Sequence, residues 1–344
     1  MSSRNRIFAI TVIAFALLAM SIAGYLFFRQ PATPPHSLLL YTNYPSPETI
    51  ANWIVDTDTG EKWEVGKGLA SGGWSPSGNH MFYYTLLPLP TEIWVSDSDG
   101  SNLHQVFDSR NYPDLEVKDF AWLSNKTIII NVFNIKDNHA YVYLLDTSTL
   151  TFEIQNPGRF MRVSPNGKFW VQWTSQDNYH LMDLDKNTTP LTLNLVSDLY
   201  FFSPDGNRWA YFCNRKESSS SLCLADVSMN GITNEHKIAD VETPVVTLDI
   251  WWSQNGKYLG IQTYNRSTNE TRFRAIDISN GSIVYDWAFP TKTTRNFWSP
   301  RGDKIIDFDG LLLDLKTGQV SNFFADINEP ISSYIVDWKM IEVP

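Results

Sequence analysis

Phe202-Ser203-Pro204-Asp205-Gly206 is the stretch that decides the fold, because close copies of it recur along the chain. They are Trp74-Ser75-Pro76-Ser77-Gly78, Val163-Ser164-Pro165-Asn166-Gly167, Trp252-Ser253-Gln254-Asn255-Gly256 and Trp298-Ser299-Pro300-Arg301-Gly302, with a degenerate copy at Trp122-Leu123-Ser124-Asn125-Lys126. The serines at 75, 124, 164, 203, 253 and 299 are spaced by 49, 40, 39, 50 and 46 residues. A repeat of that size holds four short strands and their loops, which is one blade of a β-propeller. Within the motif Pro presets φ for a turn, Ser reaches the backbone across it, and Gly takes the left-handed position. The residue before Ser then ends an inner strand, where an aromatic side chain fills the space between neighbouring blades.

Working outward, alternating β-formers follow each turn as second strands, for example Met81-Phe82-Tyr83-Tyr84 and Phe169-Trp170-Val171-Gln172-Trp173. Third strands ending in an acidic turn come next, such as Ile93-Trp94-Val95-Ser96-Asp97 and Val142-Tyr143-Leu144-Leu145-Asp146. The ends of the chain supply a seventh blade. Tyr334-Ile335-Val336-Asp337-Trp338-Lys339 has the pattern of an inner strand, while residues 38–65 open with three strands that lack one. The expected fold is an all-β, seven-bladed propeller whose last blade joins N- and C-terminal strands and so leaves no exposed sheet edge.

At Phe202-Ser203-Pro204-Asp205-Gly206-Asn207-Arg208 the chain resembles TolB-like, WD-related propellers, and the resemblance runs over residues 37–344. It implies a scaffold whose relatives mostly bind proteins or small ligands, with a minority of lyases and peptidases. The hydrolase domain of the peptidases and the N-terminal domain of TolB are not recognised in this sequence. A scaffold does not specify a function.

Composition supports a large core: 43% of the 344 residues are hydrophobic and 14% aromatic. Lys plus Arg number 27 against 37 Asp plus Glu, a net charge of −10 with no basic run, which argues against nucleic acid as a partner. Residues 7–28 (IFAITVIAFALLAMSIAGYLFF) carry no charge. As a helix they reach roughly 33 Å, enough to cross a bilayer. Arg4 and Arg6 precede them, so the positive-inside rule leaves residues 1–6 as a cytoplasmic tail, 7–28 as a transmembrane signal anchor and 29–36 as a Pro-rich linker. The domain at 37–344 is then extracytoplasmic. Cleavage near Ser21-Ile22-Ala23 stays open as the alternative, and it too exports the domain.

Candidate chemistry is sparse. Ser75 lacks the glycine offsets of a nucleophile elbow. The His residues at 36, 80, 104, 139, 180 and 236 form no short-range pair, and the Asp runs at 56–58 and 97–99 read as hairpin turns rather than calcium loops. No metal or cofactor is expected. Cys213 and Cys223 flank a polar hairpin tip and are disulfide candidates in an oxidising compartment, lying opposite each other if the hairpin is symmetric. Residues entering the inner strands gather at one mouth of a propeller channel: Asp119, Arg159, Asp198, Asp249 and Arg295, with Arg162 and Asp337 nearer the turns. With Tyr200, Trp251 and Phe297 nearby, this mixed-charge ring is the candidate ligand site. The expected role is a membrane-anchored binding module of the cell envelope, taking a protein or surface-polymer partner. The alternative is a polysaccharide-active, lyase-like enzyme working at the channel mouth.

Overall fold

The computed structural model describes residues 35–341 apart from 45–48, 86–90, 175–178, 185–189, 194–199, 217–218, 243–244, 266–267, 269, 290–295 and 328–332. The anchor expected at 7–28, with the flanking 1–6 and most of the linker, lies outside the described residues. Among the described residues no helix is long and apolar enough to cross a membrane.

Seven four-stranded antiparallel sheets form the unit Ser37–Ile341. Blades 1 to 6 begin with inner strands Ala70–Trp74, Leu115–Trp122, Arg159–Val163, Tyr200–Phe202, Val245–Trp252 and Asn296–Trp298, and each runs outward in chain order. Blade 7 is the split one, ordered Ser333–Ile341, His36–Asn43, Ala51–Asp56, Lys62–Val65. Its inner strand touches those of blades 6 and 1, so the ring closes.

Each repeated motif builds the same turn. In blade 5 the Ser253 amide donates to the Tyr258 carbonyl at 2.9 Å, the Tyr258 amide returns a bond to Ser253 Oγ at 2.8 Å, and the Gly256 amide donates to Ser253 O at 2.8 Å. Gly256 sits at φ +68°, which the turn requires and a side chain disfavours. The same bonds recur around Ser75, Ser164, Ser203 and Ser299. Blade 2 departs from the expected alignment. There Leu123, fully buried, donates to the Thr127 carbonyl as the other blades' Ser does, so Ser124 stands where they carry Pro. Replacing Ser253 by Ala strands the Tyr258 amide inside a closed turn. The expected loss is about 1–3 kcal/mol, read as a lower urea midpoint with an unchanged slope.

The strand-ending aromatics fill the seams between blades. Trp122 packs edge-on against Phe82 of blade 1 at 5.9 Å, and Trp298 against Phe273 of blade 5 at 6.2 Å. Trp338 joins Ile306 and Phe323 between blades 6 and 7. Three of the ring nitrogens also form bonds: Trp122 Nε1 donates to Gly73 O, Trp252 Nε1 to Phe201 O and Trp338 Nε1 to Ser37 Oγ. The turns themselves are linked around the rim. Ser77 N donates to Asn125 Oδ1, Asn166 Nδ2 to Asp205 O and Asn255 Nδ2 to Arg301 O, while Arg301 clamps Asp58 of blade 7 at 2.7 and 2.8 Å.

Cys213 and Cys223 are joined in a disulfide across the hairpin of Arg208–Lys216 and Ser219–Ser228. They are not the facing pair a symmetric hairpin predicts. Cys223 faces Tyr211, and Cys213 sits in a bulge between Phe212 and Asn214, which brings the two Cα atoms to 5.7 Å. The strands already hold the ends of this short loop together, so reduction is expected to lower stability by at most about 3 kcal/mol. Thermal unfolding with and without a thiol reductant measures it.

Candidate functional site

The turns converge on the central channel, where a cavity of about 450 Å³ opens. Its walls come from five blades. The residues preceding Val163, Phe202, Trp252 and Trp338 supply the side chains: Arg162 of blade 3, Phe201 of blade 4, Trp251 of blade 5 and Asp337 of blade 7. The turn residues Pro76, Pro165, Pro204 and Gln254 form the rim, and Lys339 reaches in from blade 7.

Asp337 and Lys339 tie the last strand to its neighbours. Asp337 Oδ2 accepts the Trp74 amide at 3.2 Å and Oδ1 the Trp338 amide at 2.8 Å. Gly73 makes room for this, since a Cβ there would lie 3.2 Å from Asp337 Oδ2. Lys339 Nζ donates to the Ser75 carbonyl, and Gln254 Nε2 donates across the channel to the Trp338 carbonyl. Burial pushes the Asp337 carboxyl above the usual carboxylate range, against the pull of Lys339 and the two amides. Burial likewise lowers the Lys339 ammonium, against the pull of Asp337. Arg162 is exposed to the channel with its guanidinium stacked over the Phe201 ring at 4.6 Å.

The raised Asp337 value gives a pH signature. The folded state keeps the Asp337 proton at pH values where the unfolded chain has lost it. That contribution to stability is present in acid and is lost as pH rises through the folded value. Asp337→Asn removes it, so the midpoint of the variant relative to the parent should improve as pH rises above the ordinary carboxylate value of about 4. Paired thermal melts across that range check the trend.

Of the residues expected from sequence, Arg162 and Asp337 meet in the cavity and Trp251 joins them. Asp119 and Arg159 are exposed on their inner strands and are not part of its lining. Asp198 and Arg295 lie outside the described residues, and Asp249 lies on Val245–Trp252 with its side chain likewise outside them. Phe201, Gln254 and Lys339 are contributors that sequence reasoning missed. Gln254 carried a signal, as the residue replacing Pro in one repeat. The motif serines are unavailable for chemistry: Ser75 is fully buried and its Oγ accepts the His80 amide. The Asp runs do form turns. Asp56 accepts the Asp58 and Thr59 amides, and Asp99 accepts both donors of Ser101. Among the described residues no three His, Cys, Asp or Glu side chains cluster as metal ligands.

No protein-family model matches the sequence, and no curated protein matches it. Solved structures do. An uncharacterized protein from Listeria monocytogenes EGD-e superposes with a TM-score of 0.55 at 11% identity, over 84% of this chain and 91% of that one. Oligogalacturonate lyase in complex with manganese gives 0.50 at 12% identity, over 84% and 86%. The fold is a seven-bladed β-propeller. TolB from Acinetobacter baumannii gives 0.48 at 16% identity over 74% of this chain, which spans 64% of TolB's length. At these identities the likeness is one of fold, and the propeller's use has to be argued from its own channel.

Proposed function

We propose that this propeller is a binding module, held outside the cytoplasm by residues 7–28, that takes a ligand or the tip of a partner into its central channel. The observation that carries the reading is the cavity of about 450 Å³ in which separate blades place Arg162, Phe201, Trp251, Asp337 and Lys339. Its size falls in the range of small-ligand sites, and its aromatic walls with a few polar groups have their usual make-up. The disulfide accords with an oxidising compartment, and the uncharged run at 7–28 with Arg4 and Arg6 before it accords with the anchor.

Trp251 makes the reading measurable. Ligands added to the full-length protein in detergent should change its tryptophan emission, and Trp251→Phe should remove the change while leaving the unfolding midpoint near the parent's. A response that survives in W251F places binding elsewhere. Turnover of the ligand, in place of reversible binding, makes the channel an enzyme site. Protease added to intact cells should reach the domain, and protection until the membrane is permeabilised refutes the exported topology.

A further inference from the structure

The charge inside the channel is unbalanced in one direction. Asp337 has both oxygens turned to backbone amides of the channel wall, and Lys339 offsets its charge while donating to Ser75 O. Arg162 is different. Its guanidinium carbon stands over the Phe201 ring, 4.6 Å from the ring centre, and among the described residues no carboxylate stands within ion-pair distance of it. Stacking uses the face of a guanidinium and leaves its N–H edges free in the plane, the geometry that grips a carboxylate with two parallel bonds. Among the described residues of the lining, Arg162 therefore adds one positive charge beyond the Asp337–Lys339 pair, in a protein whose net charge is −10.

The rest of the wall says what should carry the negative charge. Trp251 and Phe201 put aromatic rings in the wall, with Arg162 over Phe201, and Pro76, Pro165 and Pro204 give the rim apolar rings. Gln254, two blades on from Arg162, has its amide nitrogen committed to Trp338 O, which leaves its oxygen as an acceptor in the same cavity. We propose that the channel binds a monocarboxylate carried on a flat ring, with Arg162 gripping the carboxylate, Trp251 stacking on the ring and Gln254 Oε1 accepting a ring N–H or O–H. This rests on the channel being the binding site and adds the class of ligand.

The test is calorimetric titration of the full-length protein in detergent with indole-3-acetate and with its neutral counterpart, indole-3-acetamide. The two share a ring with an N–H donor and differ in charge. A charged, bidentate contact predicts that the acid binds at least about tenfold more tightly than the amide. Arg162→Gln should erase that preference with no shift in the unfolding midpoint, Arg162→Lys should restore part of it, and Trp251→Ala should weaken both probes. Equal binding of acid and amide, or an acid preference that persists in R162Q, overturns the carboxylate assignment. If W251A still weakens both probes in that case, the channel remains the binding site and only the ligand class is wrong. Failure of both probes to bind the folded protein also overturns the assignment, and the Trp251 emission screen with neutral ligands then judges the channel on its own.

Discussion

Deleting residues 333–344 is expected to abolish the cooperative unfolding transition. The deletion removes the inner strand of blade 7 and with it Ile335, Trp338 and Ile341, which are 1%, 3% and 1% exposed. Burying large side chains of this kind is worth about 2–5 kcal/mol each, and a whole domain is stable by only about 5–15 kcal/mol. Three such losses consume that margin. The deletion also takes away Asp337 and Lys339, which tie the strand to blade 1, and the carbonyl that Gln254 holds from blade 5. His36–Asn43 becomes an open edge beside a hole in the ring. Circular dichroism during heating should show a broad, non-cooperative loss of signal. An unchanged sharp transition disproves closure by this strand. The milder Trp338→Ala keeps the strand and should retain a single transition, lowered by about 3–5 kcal/mol.

Phe273→Ala is the second large effect, and it reaches the channel from behind. Phe273 is fully buried in the seam between blades 5 and 6, against Trp298 at 6.2 Å and Trp251 at 6.3 Å. Gly260 on the adjacent strand is shaped to it, since a Cβ there would stand 2.8 Å from the Phe273 ring. Truncation leaves a void that two large indoles and rigid strands cannot collapse into. The expected cost is about 3–5 kcal/mol, or a fall in midpoint of roughly 6–20 °C at about 2–4 °C per kcal/mol. Trp251 loses its backing and tilts toward the void. Ligands that need its face should therefore bind more weakly to F273A, although Phe273 itself does not line the cavity. Phe273→Leu, which refills most of the space, should recover most of both losses.

The fold was readable because its determinants are local. Ser, Pro and Gly at fixed offsets dictate a turn wherever they occur, and Trp or Phe before them marks a seam. The split blade was readable for the complementary reason: three strands without an inner partner at one end, and an inner strand without followers at the other. Blade 2 was misaligned by one residue because Leu123 replaces the turn serine and Ser124 lies beside it. The disulfide pair was legible, but not the bulge at Cys213 that brings it together.

The channel was harder to read for a reason that lies in the inner strands. Each register shift inserts a residue and reverses which face later side chains point to. In blades 1 and 3 the shift lies between Ser71 and Gly73 and between Phe160 and Arg162, close to the turn. In blades 2 and 5 it lies further back, between Val117 and Asp119 and between Thr247 and Asp249. Counting from the repeat motif therefore works for Arg162 and Asp337, which stand just before Val163 and Trp338. It fails for strand-entry residues such as Arg159. Lys339 escaped notice because it stands where the other repeats carry their buried serine.

The split blade also has a mechanical consequence. His36–Asn43 is not an edge strand; it lies between Ser333–Ile341 and Ala51–Asp56, bonded on both sides. Tension transmitted through the chain from before His36 is therefore shared by two hydrogen-bond ladders loaded together, where a terminal edge strand would unzip one bond at a time. Trp338 Nε1 on Ser37 Oγ and the Thr57 amide on Ser37 O lie at the point where such a pull would enter. His36–Asn43 is thus held from both sides by bonds that a pull along the chain has to break together.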